Sequence, residues 1–100
     1  MAEAERDAQR LDLWLWCARL RRTRADCARL VEAGAVRINR QPTDKAHARV
    51  RPGDVLTIAQ GQGERGRIAV WRVRTLAARR GPVPEARALY EDMSDCMARE

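Results

Sequence analysis

One hundred residues make a single domain, long enough to bury roughly 60–70% of the unfolded chain's surface and too short to hold a second, catalytic domain. The apolar fraction of 45% is ordinary, whereas 34% charged residues, a net charge of +6 and a pI near 10.5 set the chain apart. No stretch nears the ~20 apolar residues of a membrane span and the N-terminus lacks the apolar run of a secretion signal, so a cytoplasmic protein without a membrane partner is expected.

The first helix is expected from Asp12, as N-cap, to about Leu20, with Leu11 and Trp16 at the spacing of a hydrophobic staple. Its end is basic, with Arg19, Arg21 and Arg22 where cations favour the negative end of the helix dipole. Thr23 starts a second helix, Asp26 three residues on makes a capping-box-like Thr-Arg-Ala-Asp, and Gly34 supplies a left-handed stop. Cys27, Leu30 and Val31, at i, i+3 and i+4, form its buried stripe. Val36 to Asn39 alternates as a half-buried strand with Arg37 and Asn39 outward, and a long polar connection follows. Arg51-Pro52-Gly53-Asp54 spells a type II turn, which predicts that Val50 and Val55 to Ile58 lie on pairing strands. A further strand covers about Arg67 to Thr75, where Ile68, Val70, Trp71 and Val73 break strict alternation and imply a bulge or burial on both faces. Pro82 and Pro84 break the chain, and Glu85 to about Met93 reads as a last amphipathic helix using Ala86, Leu89 and Tyr90. The class is therefore α+β: two N-terminal helices packed on a small, mostly antiparallel sheet, with a short C-terminal helix. Residues 1–9 read as a flexible acidic arm, 10–60 as the binding unit, and 61–100 as a hairpin strand and helix completing the same domain.

Several motifs point to no chemistry. Gly61-Gln62-Gly63-Glu64-Arg65-Gly66 fits the spelling of a dinucleotide loop, but the mechanism needs a helix N-terminus after the glycines and a strand follows, so a flexible hairpin loop is expected. Cys17, Cys27 and Cys96 lack the paired spacing of a zinc site and read as reduced thiols, while His47, the only histidine, is a loop residue. Asp12, Asp26 and Asp54 are explained as a cap, a capping-box partner and a turn residue. No carboxylate pair or Ser/His/Asp set remains, so neither an enzyme, a metal nor a cofactor is expected. Trp16 reads as core. Trp14 lies about 200 degrees from it around a helix and is open between packing on the C-terminal segment and stacking on an unpaired base, the role also open to Trp71.

The charge carries the function. Lys45 is the only lysine among twenty basic residues, so the positive surface consists of planar, bidentate guanidinium groups suited to phosphate. Residues 1–9 carry net −2, residues 10–51 carry eleven bases against four acids for net +7, residues 52–81 net +4 and residues 82–100 net −3. Charge gathered in one stretch and neutralised at both ends suits a polyanion-binding face, against the plainer reading of a solvated arginine surface. A helix ending in Arg19, Arg21 and Arg22, followed by one opening with Thr23 and Arg24, brings several guanidinium groups and a helix N-terminus together. Arg29 extends that surface along the second helix, and Arg37 and Arg40 border it.

The stretch Arg10-Leu11-Asp12, Leu15, Arg19, Thr23-Arg24, Ala28, Leu30-Val31, Gly34, Val36, Ile38-Asn39 and Gly53-Asp54 resembles the RNA-binding domain named after small-subunit ribosomal protein four. The run from Arg10 to Arg19, with Gly63-Glu64-Arg65 and Ala88-Leu89-Tyr90-Glu91, is similar more particularly to the bacterial heat-shock protein fifteen family. The resemblance implies an αL-type RNA-binding fold in a ribosome-associated, stress-response protein. It further implies binding to ribosomal RNA of the large subunit, and recycling of stalled subunits that still carry a nascent chain. By position, its RNA-contacting motif falls on Arg10, Arg19, Thr23, Arg24, Arg29, Arg37 and Asn39; charge and proximity add Arg21, Arg22, Arg40 and Lys45. The chain departs from the family in placing Arg40 where glycine usually follows the asparagine, and in ending at Glu100 where the family continues into a basic extension. A monomer is expected. The competing readings are a helix-turn-helix-like binder of duplex DNA, which needs second-helix side chains that read base edges, and an adaptor whose basic face meets an acidic protein. If the RNA reading holds, Arg19→Ala combined with Arg24→Ala weakens binding to structured RNA by well over about tenfold with an unchanged circular dichroism spectrum.

Overall fold

A computed structural model describes residues 8–60 and 67–93. The chain runs β1 (Gln9–Arg10), α1 (Leu11–Cys17), α2 (Arg24–Glu32), β2 (Val36–Ile38), β3 (Gln41–Thr43), β4 (Arg49–Val50), β5 (Val55–Gln60), β6 (Arg67–Val73), α3 (Val83–Arg87) and β7 (Tyr90–Asp92). Five strands form an antiparallel sheet in the order β3-β2-β5-β6-β7, while β1 and β4 pair separately. The class is α+β, as expected. Among the described residues no helix is long and apolar enough to cross a membrane.

Helix α1 begins one residue before Asp12, so Asp12 is a first-turn residue and the N-cap position falls to Arg10, whose side chain makes no capping bond. The helix also stops at Cys17, short of Leu20. The Arg19 amide donates to the Trp16 carbonyl at 3.0 Å and the Leu20 amide to the Leu15 carbonyl at 3.1 Å, with Arg19 at φ 65°. That pattern is a Schellman ending with arginine where glycine is usual. Helix α2 ends the same way around Gly34 at φ 83°, through Gly34 to Val31 and Ala35 to Leu30. Its start is as read: Thr23 Oγ1 accepts from the Asp26 amide at 3.0 Å.

Alternation along the strands sorts the sheet into two faces. Val36, Ile38, Leu56, Ile58, Trp71 and Val73 share the face that packs against Leu11, Trp14, Leu15, Cys27 and Val31 of the helices. Arg37, Thr57, Val70 and Arg72 alternate with them onto the opposite face. The β5–β6 register runs without a bulge, so the broken alternation of β6 reflects burial on both sides: Val70 is buried from the far face although Ile68 beside it is 62% exposed. The glycine loop expected at 61–66 lies outside the described residues, but a strand does follow it.

Two connections differ from expectation. The polar stretch after β2 contains a tight hairpin, with Ile38 opposite Gln41 and both Asn39 (φ 51°) and Arg40 (φ 72°) left-handed. This is a type I′ turn, whose preferred residues are asparagine and then glycine. The Arg51–Asp54 turn forms as read, with Gly53 at φ 98° and the Asp54 amide donating to the Arg51 carbonyl at 3.0 Å. However, β4 before the turn pairs with β1, Gln9 opposite Val50, and not with β5. The entry to α1 holds it there, through Leu11 to the Ala48 carbonyl and Asp12 to the Ala46 carbonyl. Gln9, counted with the acidic arm from the sequence, is thus part of the fold, and its side-chain amide exchanges two hydrogen bonds with Ala77.

The expected C-terminal helix is shorter and is followed by a strand. Helix α3 covers five residues, with proline in its first turn, and β7 then adds an edge strand to β6. The aromatic rings account for the switch. Tyr90 stacks on Trp71 at 3.9 Å between centroids, and Trp14 meets both edge-on at 6.5 and 6.3 Å. Trp14 is fully buried and donates its indole N–H to the Thr75 carbonyl at 3.0 Å, whereas Trp16 is only half-buried. The fully buried tryptophan of α1 is therefore Trp14, which packs on the C-terminal segment, while Trp16, read as core, packs against the core's margin. Truncating a buried ring of that size costs about 3–5 kcal/mol, a large share of a total stability of about 5–15 kcal/mol.

Arg40 carries backbone strain that glycine would not. Left-handed φ costs a residue with a Cβ about 1–2 kcal/mol, and glycine's extra chain entropy returns about half of that. Arg40→Gly should therefore stabilise the protein by about 0.5–1 kcal/mol, read as a higher urea midpoint at unchanged slope; an unchanged or lower midpoint would contradict the turn assignment.

Candidate nucleic-acid interface

The junction of α1 and α2 is organised by one carboxylate. Asp12 is 3% exposed, and its oxygens accept from Arg10 Nε at 3.2 Å, Arg10 Nη2 at 3.1 Å and the Leu13 amide at 2.8 Å, with Arg24 Nε at 3.4 Å. A buried carboxylate is costly unless both oxygens are satisfied, and here they are. The bond network fixes Arg10, before α1, beside Arg24, the first residue of α2, with roughly half of each guanidinium side chain left to water.

Residues 18–23 between the helices belong to no helix or strand and carry Arg19, Arg21 and Arg22 of the expected cluster. Arg19, Arg21 and Arg22 line one open groove together with Leu20, Val83 and Arg80. Arg21 donates to the Leu20 carbonyl at 3.1 Å, and the Arg22 carbonyl accepts the Trp16 indole N–H at 3.2 Å. Arg19 reaches from its left-handed backbone position to donate through Nε to the Gly81 carbonyl at 2.9 Å. Beyond the groove, Arg29 is exposed on α2 and pairs with Asp26 at 3.2 Å. Two thiols lie beneath the junction. Burial pushes the Cys17 pKa up, against weaker opposing pulls from Arg80 and Arg24, and burial likewise raises Cys27 against Arg21 and Arg80. Both are buried free thiols, as read; Cys96 lies outside the described residues.

The remaining expected residues sit elsewhere. Arg37 is exposed on the sheet face turned away from the helices, and Arg40 is exposed in the β2–β3 turn. Asn39 is committed to the fold: its Nδ2 donates to Asp54 at 3.1 Å and its Oδ1 accepts from the Val55 amide at 2.9 Å, tying the hairpin to the type II turn. Thr23 spends its hydroxyl on the α2 cap. Lys45 is exposed in the β3–β4 connection, 3.7 Å from Asp44, and His47 is exposed nearby. The structure thus gathers Arg10, Arg19, Arg21, Arg22 and Arg24 at the helix junction and leaves Arg37, Arg40 and Lys45 apart from it. Sequence reasoning missed Arg80, whose Nε donates to the Trp16 carbonyl at 3.1 Å. The only signal in the sequence is the Arg79-Arg80-Gly81 run, some sixty positions from the residues it meets.

Removing the organising carboxylate has a measurable cost. Asp12→Ala should lower stability by about 1.5–3 kcal/mol, the range for hydrogen bonds to a charged group, seen as a lower urea midpoint; an unchanged midpoint would show that the network does not hold the two helices.

The S4 domain model matches residues 9–56, from β1 into β5. Heat shock protein 15 of Escherichia coli (strain K12) is 38% identical over 86 residues, covering 86% of this chain and 61% of that protein. The heat shock protein 15 homolog of Haemophilus influenzae is 36% identical over 92 residues, covering 92% and 64%. The chain thus spans somewhat under two thirds of the length of these curated relatives. The solved structure of Vibrio cholerae heat shock protein 15, described as trimeric, superposes with a TM-score of 0.77 at 30% identity and covers 92% of this chain and 88% of that one. With the S4 match, the sequence identity over most of the chain and the overall superposition in agreement, the chain belongs to the heat shock protein 15 family.

Proposed function

We propose that this protein binds structured RNA through the arginine face at the α1–α2 junction, that the RNA is ribosomal RNA of the large subunit, and that binding serves the recycling of stalled subunits carrying a nascent chain. The observation that carries the binding reading is the convergence of Arg19, Arg21 and Arg22 on one groove, next to the Arg10–Asp12–Arg24 network. The guanidinium groups of Arg10, Arg19, Arg21 and Arg24, already oriented by contacts within the protein, lose little freedom on meeting phosphates, and their unused N–H groups make charge-assisted bonds. The large-subunit target and the recycling role are what membership of the heat shock protein 15 family suggests. The binding unit we propose is the single chain. Duplex DNA is the weaker ligand on this reading. Arg24 and Arg29, the two arginines of α2, are engaged by Asp12 and Asp26, so they serve phosphate positioning better than the reading of base edges.

The test is a titration of deproteinised large-subunit ribosomal RNA, and of duplex DNA of comparable length, over a salt series. If about four or five phosphates are neutralised, log K falls against log salt with a slope on the order of −3 to −4.5 for RNA, and RNA binds more tightly than DNA throughout. Arg19→Gly is the sharper variant, because glycine suits φ 65° and removes the guanidinium without strain. It should weaken RNA binding about tenfold, reduce the slope by about one phosphate's share of 0.7–0.9, and leave the circular dichroism spectrum unchanged. Equal affinity for both nucleic acids, or no effect of Arg19→Gly, would place the binding surface elsewhere.

A further inference from the structure

Arg80 lies beyond the S4 match of residues 9–56, in the segment between β6 and α3. Its side chain is half-buried and directed back onto the α1–α2 turn. Nε donates to the Trp16 carbonyl at 3.1 Å and Nη2 to the Arg21 carbonyl at 3.5 Å, while the guanidinium carbon lies 5.3 Å from the centroid of the Trp16 ring. The Trp16 carbonyl also accepts from the Arg19 amide at 3.0 Å, the bond that closes the end of α1. In the other direction, Arg19 Nε donates to the carbonyl of Gly81, the residue after Arg80. Two backbone segments are thus clasped by an exchange of arginine side chains. Arg79 by contrast is 71% exposed and pairs with Glu85, so the clasp is specific to Arg80.

We propose that Arg80 is a positioning residue for RNA binding: its fork holds the Trp16 and Arg21 carbonyls, and so sets the directions of Arg19, Arg21 and Arg22 in the groove. This rests on the RNA-binding reading above and extends the functional unit from the S4 region to the C-terminal half of the chain. A planar guanidinium bonds two carbonyls from fixed positions while its face lies on an indole; a lysine ammonium keeps the charge and the ring contact but not the paired geometry.

The full chain is compared as wild type, Arg80→Ala and Arg80→Lys by titration with deproteinised large-subunit ribosomal RNA over a salt series, and by amide hydrogen exchange of the free proteins. A loss on the order of tenfold for Arg80→Ala, at an unchanged salt slope, is expected, because the same phosphates are contacted by misdirected partners. Exchange at Arg19 and Leu20 should quicken while α2 keeps its protection, and Arg80→Lys should recover only part of the affinity. If the slope falls by about 0.7–0.9 while exchange at Arg19 and Leu20 stays unchanged, Arg80 is itself a phosphate contact and the positioning role is wrong. Full recovery by Arg80→Lys would equally overturn it, since charge alone would then suffice. Wild-type protein that fails to bind the RNA overturns the binding reading and this inference together; wild-type binding that Arg80→Ala leaves intact overturns only this one.

Discussion

A single carboxylate removed from water decides how the two N-terminal helices meet. Asp12 cannot be left bare in the interior, and the groups that satisfy it come from both sides of the junction: Arg10 ahead of α1, and Arg24 at the start of α2. Because each guanidinium uses only part of its donor set on Asp12, the same contact that joins the helices leaves oriented, cationic N–H groups facing outward. Stability and an outward-facing cationic surface therefore arise from one arrangement.

The aromatic cluster does the corresponding work for the C-terminal half. Trp14 stands edge-on to the stacked pair of Trp71 and Tyr90, and its indole N–H is held by the Thr75 carbonyl. The ring contacts draw the chain after α3 onto the edge of β6 as β7, which brings the β6–α3 connection alongside the α1–α2 turn. Arg80 and Gly81 arrive at the arginine groove by that route. The region after residue 56 is consequently more than an appendage to the S4 region, since it supplies donors and acceptors to the turn that carries the cations.

Two arginines sit where glycine would be easier. Arg40 occupies the second position of a type I′ turn, where no hydrogen bond or ion pair of its side chain among the described residues offsets the strain. Arg19 occupies the left-handed end of α1, and its conformation sends the side chain to the Gly81 carbonyl, which recovers part of the cost.

Features governed by nearest neighbours were legible from the residues alone. The Thr23 cap, the Gly34 stop, the Arg51–Asp54 turn and the alternation around Val36 and Ile38 each depend on a few consecutive positions, and each was found where expected. The α+β class and the basic helix junction followed from them. What was misread depended on partners far along the chain. A helix rotation angle does not tell which tryptophan of α1 meets Trp71, so Trp14 was left open and Trp16 favoured. The periodicity of Ala86, Leu89 and Tyr90 suits a helix as well as a turn and an edge strand, until the Trp71 ring selects the latter. Asp12 reads locally as a cap because the burial that makes it a bridge between Arg10 and Arg24 exists only once the helices pack. Arg80 gave no sign of its role, because its carbonyl partners are brought near it by the folding of everything in between.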